Sequence, residues 1–282
     1  MPTVKLNDIG IYYETYGSGE PLVLIMGFTG TTEVWVCQIP DLSREYRVIA
    51  FDNRGSGRSD KPDIPYTMPM LAQDTADLLD ALGIVTCHVY GVSMGGMIAQ
   101  EFAIRCPDRV ISLVLGCTSC GGEHFVLPDE ETMAFLLGME HRGQLTPEEM
   151  VRESLPFAFT QGFIDNSSDI VEQYVLMQME HWPPPHSFMR QVEAMMTHDT
   201  YERLPQIKAP TLVISGGVDR QVPVENASVL ASRIPDAELV ILQNIGHAFF
   251  IEAAEQANEV ILDFLRRHPI AARQPEAHLI GR

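Results

Sequence analysis

The sequence is short of basic residues, of long apolar runs and of paired cysteines. Nineteen Lys and Arg stand against 38 Asp and Glu, a formal net charge of −19. Such a surface repels nucleic acid and anionic lipid, so neither is an expected partner. The longest early apolar run, Leu22-Val23-Leu24-Ile25-Met26, is far too short to span a bilayer. The opening residues Met1 to Asp8 lack the basic-then-apolar pattern of a secretion signal. These absences lead to the expectation of a soluble, cytoplasmic protein. Five cysteines without framework spacing argue against a disulfide-stapled scaffold. Cys117-Thr118-Ser119-Cys120 is a CxxC with no second pair and no His-x-His partner. It reads as reduced thiols near a strand end rather than as a zinc or redox site.

What remains is ordinary for a globular domain with a sizeable core: 282 residues, 45% hydrophobic and 20% charged. An opening β pair, Val4–Leu6 and Ile9–Tyr16, turns near Asn7-Asp8. Strand and helix patterns then alternate. Strands are expected at 21–26, 46–51, 84–90 and 110–115, and helices at 33–42, 70–82 and 94–105. Alternation of this kind specifies a parallel sheet covered by helices on both faces. From Gly121 to Leu204 the strands disappear, and helical patterns run near 130–139, 147–157, 170–180 and 186–197. Alternation resumes with strands at 210–215 and 238–242 and helices at 224–234 and 253–267. The expected organisation is therefore an α/β core over 1–120 and 205–268, a helical insertion over 121–204, and a loosely ordered tail over 269–282.

One motif carries chemistry. Val89-Tyr90-Gly91-Val92-Ser93-Met94-Gly95-Gly96 joins a strand to a helix through Gly-x-Ser-x-Gly. Chance supplies that pattern in roughly one chain in ten of this length, so the flanking strand and helix decide its meaning. A serine on such an elbow is lifted from the backbone as a nucleophile. It needs a base, and the base needs an orienting acid. Loops after the carboxyl ends of parallel strands are where such groups collect. Asp219 follows the strand at 210–215, and His247 follows the strand at 238–242. The chain order Ser93, Asp219, His247 is the one this geometry takes. The remaining histidines lack that placement: His88 lies in the elbow strand, His268 on the last helix, His124, His141, His181, His186 and His198 in the insertion, and His278 in the tail. An oxyanion hole needs backbone N–H donors. Met94, next to the nucleophile, is one candidate; Phe28, in the Gly27-Phe28-Thr29-Gly30 loop, is the other.

Together these residues resemble the α/β-hydrolase fold family, in its lidded serine esterase, enol-lactonase and cofactor-free peroxidase-like branch. Asp52-Asn53-Arg54-Gly55-Ser56-Gly57-Arg58-Ser59 is similar to that branch's D-x-R-G-x-G-x-S loop, and Trp35 stands where the family often has a Trp. The likeness covers about residues 1–120 and 205–267. It implies a mostly parallel eight-stranded sheet and makes 121–204 a lid. One departure is Met26, where the family usually has His. Dehalogenases and epoxide hydrolases of this fold carry Asp at the elbow, so Ser93 disfavours both.

The expected function is that of a carboxylesterase working through an acyl-enzyme on Ser93, with no metal and no cofactor. A lactonase or perhydrolase would use the same groups. A ligand-binding receptor that keeps the triad with negligible turnover is the rival from another class. Eight of the fourteen methionines fall in the insertion, a pliable apolar surface that suits an apolar small-molecule ester or lactone. Gly27, Trp35, Met133 and Met177 are the candidates for lining the substrate pocket.

Overall fold

The computed structural model describes residues 2–137 and 145–270. Apolar runs at the centre of the sheet become strands covered on both faces, while the strands at its two edges stay partly exposed. The strands are β1 (Thr3–Leu6), β2 (Ile9–Tyr16), β3 (Glu20–Ile25), β4 (Tyr46–Phe51), β5 (Cys87–Val92), β6 (Val110–Gly116), β7 (Thr211–Gly216) and β8 (Ala237–Leu242). They form one sheet in the order β1-β2-β4-β3-β5-β6-β7-β8. Strand β2 runs antiparallel to β1 and β4, and every other pair is parallel.

Helices α1 (Ile39–Leu42), α2 (Met68–Ala81) and α3 (Met94–Arg105) precede β6. Between β6 and β7 lie α4 (Glu130–Leu137), α5 (Pro147–Ala158), α6 (Gln161–Asn166), α7 (Ser168–Glu180) and α8 (Pro185–Met196). Helix α9 (Glu225–Arg233) joins β7 to β8, and α10 (Phe249–Glu252) and α11 (Ala254–Arg266) follow.

Successive strand residues feed opposite faces. Ile25, Val89 and Leu115 pack with residues of α2, α3 and α9. Leu24, Tyr90 and Val114 pack with residues of α1 and α11 on the other side. The sheet is thus sandwiched, and the ends of its parallel strands carry the loops of interest.

Most differences from the expected elements are short. The single helix expected over 33–42 is a 3₁₀ turn, Thr32–Cys37, followed by α1. Pro40 is the cause: it has no N–H to donate and its ring clashes with the carbonyl four residues back. The strand expected at 84–90 starts later and runs through Gly91 to Val92, up to the elbow. Helices α6 and α10 were not anticipated. Thr160 starts α6 by accepting the Phe163 N–H at 3.3 Å. The end of the helix expected over 130–139, with His141, His278 and residues 271–282, lies outside the described residues.

The chain enters and leaves the helical insertion through one neck. Gly121 and Asp199 form an antiparallel bridge. The Gly122 N–H donates to the His198 carbonyl at 3.0 Å, and the Thr200 N–H donates to the Cys120 carbonyl at 2.9 Å.

Candidate active site

Ser93 sits between β5 and α3 with φ 55° and ψ −122°, a backbone conformation that side chains rarely adopt. Its surroundings hold it there. The Ser93 N–H donates to the Gly116 carbonyl at 2.8 Å, and its own carbonyl accepts from the Gly96 N–H at 2.9 Å. Thr118 Oγ1 donates to the same carbonyl at 2.7 Å. A Cβ on Gly91 would lie 2.3 Å from the Gly95 carbonyl oxygen, and one on Gly95 would lie 2.0 Å from that of Ile25. Strand and helix approach so closely that only glycine fits at either place.

Asp219 and His247 meet from the loops after β7 and β8. Asp219 Oδ2 lies 2.8 Å from His247 Nδ1. Its Oδ1 accepts the Gln221 and Val222 N–H groups, each at 2.9 Å. A carboxylate only accepts, so Nδ1 carries a proton, and in the neutral ring Nε2 keeps its lone pair. Ser93 is partly exposed and lines one cavity together with His247. No hydrogen bond joins Ser93 Oγ to the ring among the described residues; such bonds often form only around substrate.

The loop after β3 lies against the serine: a Cβ on Gly27 would be 3.1 Å from Ser93 Cβ. Gly27 and Gly30 close a turn, with the Gly30 N–H donating to the Gly27 carbonyl at 3.2 Å. The Gly27–Phe28 peptide is trans, so its N–H points opposite to that carbonyl, away from Gly30. Met94 is the first residue of α3, where helix N–H groups lack intrahelical partners. Neither the Phe28 nor the Met94 N–H has a hydrogen-bond partner among the described residues. The arrangement can therefore offer two donors, a base and a hydroxyl to one reacting carbonyl.

Met26, in the position where a His was expected from the resemblance, packs under the turn. A Cβ on Gly30 would come 2.5 Å from Met26 Cγ. Its carbonyl accepts from Asn53 Nδ2 at 2.8 Å. The Asp52–Ser59 loop is thus a brace. Asp52 is fully buried, and its carboxylate accepts the Thr32 and Arg58 N–H groups, both at 2.8 Å. Burial pushes the Asp52 carboxyl up, against those hydrogen bonds and the Arg58 charge.

Apolar side chains dominate the cavity wall: Phe28, Val34, Phe135, Leu136, Met150, Val151, Tyr174, Trp182, Phe188 and Phe250. Thr29, Ser154, Gln178 and Gln221 add polar groups. Of the four expected lining residues, Gly27 alone is there. Trp35 is fully buried beneath the wall, its ring 4.9 Å from that of Tyr90 and 6.0 Å from that of Phe250. Helix α7 turns Tyr174 and Gln178, one turn apart, toward the cavity, while Met177 beside them packs on the core. Met133 precedes Phe135 by two positions, roughly 200° around α4. Among the described residues, the insertion's methionine that does line the wall is Met150.

Residues 20–254 match the family model described as alpha/beta hydrolase fold. The chain belongs to the α/β-hydrolase fold family. It is 31% identical over 264 residues to a protein of Azorhizobium caulinodans called putative carbamate hydrolase RutD, covering 94% of this chain and 98% of that one. An esterase of Thermogutta terrifontis superposes with a TM-score of 0.83 at 28% identity, covering 95% of this chain and all of that one. The enol-lactonase of Burkholderia xenovorans superposes with a TM-score of 0.83 at 26% identity, covering 94% and 100%. Hydrolysis is the common ground of this α/β hydrolase and these relatives.

In this hydrolase the CxxC cysteines are free and buried, and burial pushes both thiols up. No helix among the described residues is long and apolar enough to cross a membrane. Two residues around the site carried no sequence signal. Glu252 accepts the Gly246 N–H beside His247, and Gln191 reaches the loop of Phe28 from α8.

Proposed function

We propose that this α/β hydrolase cleaves carboxylic esters of apolar acids or alcohols through an acyl-enzyme on Ser93. The observation that carries the reading is the Asp219–His247 hydrogen bond, which selects the tautomer whose Nε2 can accept a proton on the wall that Ser93 shares. In this reading Nε2 takes the Ser93 hydroxyl proton as Oγ forms a bond to the ester carbonyl carbon. The carbonyl electron pair moves onto oxygen, and the N–H groups of Phe28 and Met94 hold that oxyanion. As it collapses, the bond to the alkoxy oxygen breaks, and His247 returns its proton to the departing alcohol. Water, deprotonated by His247, then releases the acid and frees Ser93. Asp219 orients the ring and stabilises its cationic form.

The insertion over 121–204 serves as the lid, contributing Phe135, Leu136, Met150, Tyr174, Trp182 and Phe188 to the wall. No Lys or Arg lines the cavity among the described residues, which favours a neutral substrate. A carbamate anion, which the Azorhizobium relative's name suggests for that protein, would find no countercharge there.

Lactone hydrolysis is the second reading, favoured by the likeness to the Burkholderia enol-lactonase. It uses the same atoms; the alcohol simply stays attached to the acyl group. A panel of short and long p-nitrophenyl esters and lactones, with Ser93→Ala as control, tests both. Neutral apolar esters are expected to turn over, and Ser93→Ala is expected to lose both turnover and fluorophosphonate labelling. Labelling that persists in Ser93→Ala would overturn the mechanism.

A further inference from the structure

Helix α8 sends one fully buried carboxamide into the junction between the insertion and the core. Gln191 Oε1 accepts the Thr29 N–H at 3.0 Å. Its Nε2 donates to the Arg54 carbonyl at 3.1 Å and to Ser56 Oγ at 2.9 Å. Both loops it joins flank the site: one carries Phe28, and the other braces Met26.

The Thr29 N–H and the Phe28 carbonyl belong to the same peptide. The carbonyl accepts from Thr29 Oγ1 at 2.7 Å. That peptide plane is therefore held at one end from within the turn and at the other from α8. Thr29 occupies the third position of the Gly27–Gly30 turn with φ 58°. Glycine or asparagine is usual there, and a β-branched residue is strained. A strained conformation persists only where its surroundings over-determine it. Packing alone does not call for an amide at this place, because an apolar side chain of similar volume would fill it without polar groups to satisfy.

We infer that Gln191 is a positioning residue that holds the Gly27–Gly30 turn in the shape presenting the Phe28 N–H to the oxyanion, so that transition-state stabilisation depends on α8 being seated. The inference rests on Phe28 serving as an oxyanion donor in the proposed ester hydrolysis. Its consequence is a separation of effects. Substrate contacts along the cavity wall stay, while the group that acts only on the developing negative charge is displaced.

Gln191→Met keeps the volume and removes all three bonds. The test compares it with the wild type in ester hydrolysis, in binding of a non-hydrolysable ether analogue, and in inhibition by a trifluoromethyl ketone, which forms an oxyanion on serine. The expected result is a fall in kcat of about tenfold or more, with KM and ether-analogue affinity within about threefold of wild type. Ketone affinity is expected to fall in step with kcat/KM. Ser56→Ala removes one anchor of the carboxamide and is expected to show the same split at smaller size; it carries the test should Gln191→Met not fold. Wild-type kcat and ketone affinity in the folded variants would overturn the inference, as would equal losses of ketone and ether-analogue binding. If wild-type turnover disappears in Ser93→Ala while Gln191→Met stays fully active, the inference alone fails. If the wild type neither turns over esters and lactones nor labels at Ser93, the hydrolase reading fails and takes the inference with it.

Discussion

Glu252 and Thr160 are hydrogen-bonded across the junction between the insertion and the loop that carries His247. Glu252 Oε1 accepts from Thr160 Oγ1, and Oε2 accepts the Gly246 N–H at 3.0 Å. Beside this bridge the Ala248 N–H donates to the Ala158 carbonyl at 2.8 Å. The residues on either side of His247 are thus tied to the insertion. Glu252→Ala leaves these partly buried donors without an acceptor. It is expected to cost about 2–3 kcal/mol of stability, measured by chemical denaturation, and to lower kcat by loosening the histidine loop.

Asp219 divides its two oxygens between the imidazole and two backbone N–H groups. In Asp219→Asn the amide oxygen can still accept those N–H groups, which leaves the NH₂ facing His247. A donor there selects the ring tautomer with its proton on Nε2, which cannot accept the serine proton. The expected outcome is a kcat lower by a factor on the order of 10³–10⁴ with the fold intact. Circular dichroism and steady-state kinetics on the same preparation check both halves.

Gly95 leaves no room for a methyl group, because the obstacle is the backbone oxygen of Ile25 at 2.0 Å from the added carbon, with that of Met26 at 2.7 Å. Neither can rotate away as a side chain would. Gly95→Ala is expected to lose about 3 kcal/mol or more in a urea melt. Gly162→Ala, where an added Cβ meets nothing within 4 Å, is the matched control and is expected to stay near wild type.

His198, in the neck of the insertion, is buried with no hydrogen-bond partner for either ring nitrogen among the described residues. Burial pulls its imidazole down to about 4, against the attraction of Glu101 and Asp199. The folded protein therefore holds this ring neutral, while the unfolded chain protonates it near the ordinary value of about 6.5. Its contribution to stability is present above about pH 6.5 and is lost as the pH falls toward about 4. Between pH 7 and pH 5 the loss amounts to about 2 kcal/mol. His198→Leu is expected to shrink the stability difference between those two pH values by that amount in denaturant melts.

The centre of the sheet was legible because its strands are apolar on both faces. Strand β4 was read to the residue, and the helical break after Gly121 was plain from the loss of strand patterns. The placement of Ser93, Asp219 and His247 in the turns beyond strands was legible, because each stands among glycines after an apolar run, even where the strand end itself was misplaced by a residue or two. The pocket wall was harder. Helical rotation decides whether Met177 or Tyr174 reaches the cavity, and the two are neighbours about 60° apart around α7, a difference too small for the pattern to resolve. Trp35 was misread as pocket lining because an aromatic near a site looks like a contact, while its burial depends on the distant Phe250. Gln191 and Glu252 were invisible. Their partners lie 162 and 92 residues away, and no local pattern encodes such a pairing.

The closed neck at Gly121 and Asp199 has a further consequence. Because the two chain ends of the helical insertion are already paired, its exchange for another segment would not ask the sheet to close a new loop. A graft between related chains, cut at 121 and 199, would therefore need to bring a glutamine to reach Thr29 and a threonine to meet Glu252.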